Sequence, residues 1–193
     1  MTDSLAAEIV LPLLRGRFGT PYTYVERCES TQRLLGDDAP IGAVATTDEQ
    51  TAGRGRLGRD WDAPPGSSVL ASIALHPEIA TVKLPELSLV AGRACAKALA
   101  EVAGVEPEVK WPNDVLIGGR KVAGILAEAR EGHVVLGIGI NVLQTAEQLP
   151  QRAQHPPTSL LLETERRIPR AELLATVLDH LEREHDAWVD GYR

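Results

Sequence analysis

Long apolar runs are missing from this chain of 193 residues. None approaches the ~18 residues that a membrane-spanning helix needs, so no membrane partner is expected. The N-terminus also lacks the charged, apolar and small-residue succession of a secretory signal, which sets the expectation of a cytoplasmic location. Cysteine is scarce: Cys28 and Cys95 lie far apart and outside any CxxC spacing, which excludes a disulfide scaffold and fits a reducing compartment. Aromatic residues make up only 4% and methionine occurs once, so the core must be built from Leu, Val, Ile and Ala. Positive charge is short as well. Lys and Arg number 20 against 27 Asp and Glu, and the net charge of −7 argues against nucleic acid as a partner. The five histidines are scattered, and His180 and His185 stand five apart, off the i, i+4 spacing of a helical metal pair. No G-x-S-x-G elbow and no Walker A loop occurs.

What remains is an ordinary globular mixture, 44% hydrophobic and 24% charged, long enough for one domain over residues 1–193 with its own core. Asp3 or Ser4 can cap a first helix to about Arg17, with Leu5, Ile9 and Leu13 on one face. Strands are expected at Tyr22–Cys28, Gly42–Thr47 and Ser68–Leu75, with a short helix from Ser30 or Thr31. Residues 50–66 hold four glycines, two prolines and no periodicity, hence a long loop of the kind that usually carries function. Leu84–Val102 reads as a helix closed by Gly104, rich in Ala on its inner face. Short strands at Pro107–Lys110 and Val115–Ile117 follow, then a Gly118–Gly119 hairpin turn. Lys121–Arg130 should pair with His133–Val142 across Glu131–Gly132. The stretch 144–157 reads as loop, and Arg170–Val189 as a last amphipathic helix burying Leu174, Val177, Leu178, Leu181 and Trp188. Together these predict an α+β fold, one mixed, largely antiparallel sheet backed by helices.

The charge is unevenly spread. From Gln50 to Trp61 the chain reads QTAGRGRLGRDW, where Arg54, Arg56 and Arg59 against Asp60 give a positive segment on an acidic protein. Gly53 to Gly58 matches G-x-G-x-x-G literally, but Arg59-Asp60-Trp61-Asp62-Ala63-Pro64-Pro65 cannot open the helix that a dinucleotide fingerprint requires. The physical content lies elsewhere. Glycines permit close backbone approach, and guanidinium forks suit carboxylate and phosphate, pointing to a small anion. A second cluster, Lys110-Trp111-Pro112-Asn113-Asp114 with Arg120-Lys121, holds half of the chain's four lysines. Taken alone, Asn113–Asp114 also fits a plain turn and Lys110 a solvated strand end. A third, Gly137-Ile138-Gly139-Ile140-Asn141, places alternate glycines in a strand; this bares one face for a flat ligand or for close helix packing.

In order and spacing, Glu29-Ser30-Thr31, Gln50-Thr51-Ala52 with GRGRLGR and Trp61, KWPND, Arg120-Lys121 with Ala123-Gly124-Ile125-Leu126, and GIGIN resemble the catalytic domain of biotin protein ligases, also called biotin–[acetyl-CoA-carboxylase] ligases. The resemblance covers roughly residues 26–143 and implies a biotin/lipoate ligase-like fold. It also implies a two-step ligation: biotin and ATP give biotinyl-5′-AMP and pyrophosphate, and a lysine of a biotin carboxyl carrier domain of a biotin-dependent carboxylase takes the biotinyl group. Mg2+ is implied as well. Carried over residue by residue, biotin would contact Ser30, Thr31, Gln32, Gln50, Gly53, Arg54, Gly55, Arg56, Lys121, Gly124, Gly137 and Gly139. ATP would contact Arg56, Arg59, Trp61, Lys110, Asn113, Lys121 and Asn141. The catalytic set would be Lys121, Arg54, Arg56 and Asp114, with Asp114 a candidate base or orienting carboxylate for the acceptor amine, and the glycine–arginine loop closing on ligand.

Gln32 stands where the family usually has Asn. No helix-turn-helix region precedes the domain, so a DNA-binding role is not expected, and the chain ends about where a small C-terminal β-domain usually begins. Exposed strand edges leave room for a homodimer. The competing readings are a lipoate or octanoate ligase or transferase of the related fold, and a biotin-binding protein without catalysis.

Overall fold

The computed structural model describes residues 3–130, 133–150 and 155–192. A seven-stranded sheet forms its frame: β1 (Tyr22–Cys28), β2 (Val44–Gln50), β3 (Ser68–Leu75), β4 (Pro107–Lys110), β5 (Asp114–Ile117), β6 (Arg120–Arg130) and β7 (His133–Asn141). The spatial order is β1-β2-β3-β7-β6-β5-β4. Only β1 and β2 run parallel; every other neighbouring pair is antiparallel. This is the mixed, largely antiparallel sheet that the strand pattern predicts. The helices are α1 (Ala7–Val10), α2 (Leu87–Ala103), α3 (Leu160–Thr164) and α4 (Arg170–Asp190). Among the described residues no helix is long and apolar enough to cross a membrane.

Alternation along the strands assigns the two faces of the sheet. Val69, Ala71, Ile73 and Leu75 of β3, Val134, Leu136, Ile138 and Ile140 of β7, and Ala123 and Ile125 of β6 join one continuous core with α2 and α4. Burying a Leu, Val or Ile fully is worth roughly 1.5–3 kcal/mol, so this face dominates the stability. The inner side of α2 is Val90, Ala91, Ala94, Cys95 and Ala98, all buried, and its small side chains let the helix lie close. A Cβ on Gly92 would stand 2.9 Å from Val109 Cγ1 of β4. Burial pushes the Cys95 thiol up to about 12, so it is an inert core residue. The opposite face carries Gly124, Leu126, Gly137, Gly139, Leu70 and Ser72. At one end it is covered by a small cluster of Leu35, Ala39, Ala43, Ala45, Ala74 and Val135.

Several sequence expectations shift. The first helix is only one turn of α1 followed by a 3-10 turn, Leu11–Leu13. Pro12 and the glycines at 16 and 19 break the run, and Ile9 and Leu13 are exposed while Leu5 and Val10 are buried. β2 begins at Val44 and runs on to Gln50 instead of spanning Gly42–Thr47. α2 starts at Leu87 because Pro85 confines Thr81–Glu86 to a 3-10 turn. α3 was not expected; Ser159 caps it by accepting a bond from the Leu162 N–H at 3.2 Å. Gly118 and Gly119, with φ of 54° and 76°, make the hairpin turn that the sequence predicts. The expected turn at Glu131–Gly132 lies outside the described residues.

One buried cation joins distant pieces. Arg170, the first residue of α4, is 1% exposed. Its Nε donates to Asp3 Oδ2 at 2.8 Å, Nη2 to the Asp3 carbonyl at 3.0 Å, and Nη1 both to Asp48 Oδ1 at 2.7 Å and to the Ser68 carbonyl at 3.1 Å. These bonds fasten the N-terminal segment, the end of β2 and the start of β3, which are the two roots of the 51–67 connection. Asp3, expected as a helix cap, instead serves this network. Removing one member of a buried ion pair typically costs about 3–5 kcal/mol. Urea denaturation of Arg170→Met should therefore show a loss of about that size, whereas a loss below about 1 kcal/mol would count against the keystone role.

Candidate active site

Strand register creates the floor of the site. Gly124 of β6 lies opposite Gly139 of β7, and Leu126 opposite Gly137. β3 continues the rows with Leu70 beside Gly139 and Ser72 beside Gly137. Three glycines therefore share the face that the helices leave uncovered, and above them is a cavity of about 470 Å³. Any side chain at these positions would fill it. A Cβ at Gly137 would stand 2.7 Å from Gln32 Nε2, and one at Gly139 2.5 Å from the Trp61 indole.

One wall is the 3-10 turn Thr31–Arg33 that follows β1. Ser30, Thr31 and Gln32 are buried there. Gln50, at the end of β2, accepts bonds at Oε1 from the Thr31 N–H at 2.8 Å and the Thr31 hydroxyl at 3.2 Å. The Thr31 hydroxyl also reaches Ser72 Oγ at 2.8 Å. Gln32 donates through Nε2 to the Leu126 carbonyl at 3.1 Å, which orients the amide and leaves Oε1 buried without a partner. An orphaned buried acceptor is costly unless a ligand supplies a donor. Arg130 braces this wall from β6, donating to the Gln32 carbonyl at 2.7 Å and the Leu35 carbonyl at 2.8 Å.

The second wall is the glycine–arginine segment, and it is more ordered than a loop. Trp61 N–H donates to the Gly53 carbonyl at 3.0 Å, Arg54 bridges Asp60 in antiparallel fashion, and Gly55 N–H donates to the Arg59 carbonyl at 2.7 Å. Residues 53–61 thus form a small hairpin flap, tipped by a 3-10 turn at Arg56–Gly58. Its strand periodicity is invisible in sequence because Gly53 and Gly55 occupy alternate positions of the first flap strand. At the tip Leu57 is 81% exposed and has φ of 62°, a conformation that costs an L-residue roughly 1–2 kcal/mol. Strain of this kind concentrates at functional segments. The base of the flap lays the Trp61 ring over Gly124 and Gly139, and Lys121 Nζ stands 5.5 Å from that ring's centre.

Charges gather at the rim. Lys121 Nζ is 2.7 Å from Asp114 Oδ1, with both side chains largely buried. Asp114 Oδ1 has no aligned hydrogen bond, so the contact is a close charge pair. Arg54 grips Glu128 through both guanidinium nitrogens, Nη2 to Oε1 at 2.7 Å and Nη1 to Oε2 at 3.1 Å. Arg56 lines the cavity with no side-chain partner among the described residues, so its fork remains available. Asn113 and Asn141 donate their amides to the Ile125 and Thr158 carbonyls at 2.9 and 3.0 Å. They brace the rim as well as line it.

Of the residues singled out from sequence, the cavity gathers Ser30, Thr31, Gln32, Gln50, Arg54, Gly55, Arg56, Arg59, Trp61, Asn113, Asp114, Lys121, Gly124, Gly137, Gly139 and Asn141. Two stand apart from its lining. Gly53 is buried at the flap's root beneath Trp61, and Lys110 is exposed at the end of edge strand β4. The sequence reading missed Glu128 and Arg130, although their spacing from Gly124 and Leu126 puts them on the same face of β6. It also missed His155, which lines the cavity beside Pro157; nothing in its polar, proline-containing surroundings singled it out.

Comparison with known proteins agrees with this architecture. Residues 24–144 match the biotin/lipoate A/B protein ligase family. The bifunctional ligase/repressor BirA of Bacillus subtilis is 36% identical over 96% of this chain and 60% of its own length. The biotin–[acetyl-CoA-carboxylase] ligase of Mycobacterium tuberculosis is 42% identical over 62% of this chain and 45% of its own length. The chain therefore spans about 60% or less of these two relatives. Among solved structures, the biotin protein ligase of Aquifex aeolicus in complex with biotin and ATP superposes with a TM-score of 0.79 at 33% identity, over 86% of this chain and 71% of that one. With residues 24–144, more than half of its length, matched by the family model, the chain belongs to the biotin/lipoate A/B protein ligase family.

Proposed function

We propose that this chain activates biotin with ATP to biotinyl-5′-AMP and passes the biotinyl group to a lysine of a carboxyl carrier domain. One observation carries the reading: the cavity is neutral and polar at one end, apolar along its floor and cationic at the other. Ser30, Thr31, Gln32 and Gln50 gather around the Gly137 row; Lys121 and Trp61 stand over the Gly124–Gly139 row, with Arg56 on the flap. A ureido ring is neutral and demands matched donors and acceptors when buried. The orphaned Gln32 Oε1 suits a ring N–H, and the Ser30 and Thr31 hydroxyls and the Gln50 amide suit the remaining groups. An aliphatic tail then lies on the glycine floor, and its carboxylate reaches the cations.

In the first step a carboxylate oxygen attacks the α-phosphorus, the bond to the bridging oxygen breaks and pyrophosphate leaves. Two anions must meet, so the chain's work is positioning and charge stabilisation. Arg56 offers a planar fork without a side-chain partner among the described residues, and Lys121 a compact charge held in place by Asp114. In the second step the acceptor amine, with a reference pKa of about 10.4, attacks the acyl carbon, AMP leaves and the amine loses a proton. Asp114, 2.7 Å from Lys121, is the carboxylate we assign to orient the amine or accept that proton. The resemblance also implies Mg2+. Among the described residues no group of three His, Cys, Asp or Glu side chains is placed to hold a metal, so the described residues build no cage for the ion and no step is assigned to it.

The deciding experiment measures pyrophosphate from ATP. Release should depend on biotin, vanish in Lys121→Ala and fall at least tenfold in Arg56→Ala, the order expected for one lost charge contact in a dry site. Consumption of lipoate without biotin would instead establish the related ligase reading, and tight biotin binding without pyrophosphate a binding protein. The floor has its own test. Gly139→Val should cut biotin affinity by about tenfold or more in calorimetry, because overpacking at this point displaces ligand and indole together; unchanged affinity would remove the floor from the site. Asp114→Asn should slow transfer to the carrier domain more than adenylation, and full rates in both would discard its assigned role.

A further inference from the structure

Arg54 was expected to neutralise substrate charge, yet its guanidinium is already occupied. Both of its forked nitrogens hold the carboxylate of Glu128, at 2.7 and 3.1 Å. Glu128 lies on β6, two residues beyond Leu126 and four beyond Gly124, on the face that forms the cavity floor. It is not itself among the cavity-lining residues. The pair therefore runs from the flap strand that carries Arg54 to the sheet strand beneath. It adds a side-chain tie to a flap that is also held by its own main-chain bonds and by the Trp61 ring over the glycine floor.

We infer that Glu128 is a positioning residue, the latch that keeps the glycine–arginine flap down over the site by clamping Arg54. This rests on the proposed function, and it reverses the sign expected of Arg54. If Arg54 were an anion receptor, Glu128 would be its competitor, and removing the carboxylate would free a cation and retain the adenylate more tightly. If the pair is a latch, removing the carboxylate loosens the flap. The mixed anhydride then escapes or meets water, which attacks the acyl carbon and breaks its bond to the phosphate oxygen, giving biotin and AMP with a proton passed to solvent. The two readings predict opposite outcomes from one substitution.

The effect should be moderate. Arg54 is 49% exposed and Glu128 22%, and a partly exposed ion pair, even with bidentate geometry, changes an equilibrium by only about three- to tenfold. The experiment follows pyrophosphate release by the full chain with biotin and ATP but no acceptor protein. The wild type should give a burst near one equivalent and then a slow phase set by loss of the adenylate. In Glu128→Gln the slow phase should accelerate about three- to tenfold, with Glu128→Asp intermediate. The double variant Arg54→Met/Glu128→Gln should be no faster than Arg54→Met alone. Raising salt should bring the wild type toward the Glu128→Gln rate.

An unchanged or slower second phase in Glu128→Gln overturns the latch. Absence of any biotin-dependent pyrophosphate from the wild type overturns the proposed function instead. Hydrogen exchange then tests the latch without chemistry: in the ligand-free protein, the Gly55 and Trp61 amides should exchange faster in Glu128→Gln, and equal rates overturn it.

Discussion

A sheet with one face packed and the other deliberately left bare is the constraint on which this molecule rests. Antiparallel sheets bury an apolar face against helices, and here α2 and α4, with Leu5, Val10 and Phe18 of the N-terminal segment, pack on one side. On the other side Gly124, Gly137 and Gly139 remove the side chains that would otherwise fill the layer. The small cluster around Leu35, Ala45 and Val135 closes one end of that side, so the open space is confined to the middle strands. Everything around the cavity serves to wall this gap without closing it: a polar turn on one side, a glycine-hinged flap on the other, and an ion pair at the rim.

Electrostatics follows from the same economy of space. The chain is acidic overall, yet its site cations are not equivalent. Arg54 is committed to Glu128 and Lys121 to Asp114, while outside the cavity Arg170 is committed to Asp3 and Asp48. Among the described residues Arg56 keeps its fork clear of side-chain partners. A site roofed by an arginine-bearing flap needs some of its charges to hold the flap and others left to meet a ligand. Spacing in the sequence treats Arg54 and Arg56 alike, whereas the strand register separates them.

Arg170 shows how the packed side of the molecule reaches the functional one. It begins the helix that seals the core, and its guanidinium fastens Asp48 and the Ser68 carbonyl, the roots of the connection that carries the flap. The flap can therefore be locally strained at Leu57 and tolerant in its glycines while its ends stay fixed. Such a division, rigid roots under an adjustable tip, suits a segment that must admit a ligand and then exclude water.

The sequence by itself determined the strands and the two long helices to within a few residues, because each rests on a local signal, and the resemblance supplied most of the cavity's lining, though not His155 and with Gly53 and Lys110 standing apart. Alternating apolar residues name a strand, helical spacing names α4, and the glycines of GIGIN, GRGRLGR and AGIL announce close approach wherever they come to lie. It misjudged the N-terminal segment and the start of α2, where Pro12 and Pro85 override an otherwise helical pattern within a few residues. What only the tertiary structure decided is pairing. That β6 brings Gly124 opposite Gly139, that Arg54 meets a carboxylate 74 positions away, that Lys110 faces out at a sheet edge while Lys121 turns in, and that Trp61 covers the floor all depend on register across strands. Register is set by how faces and turns fit together over the whole sheet, and no window of residues contains it.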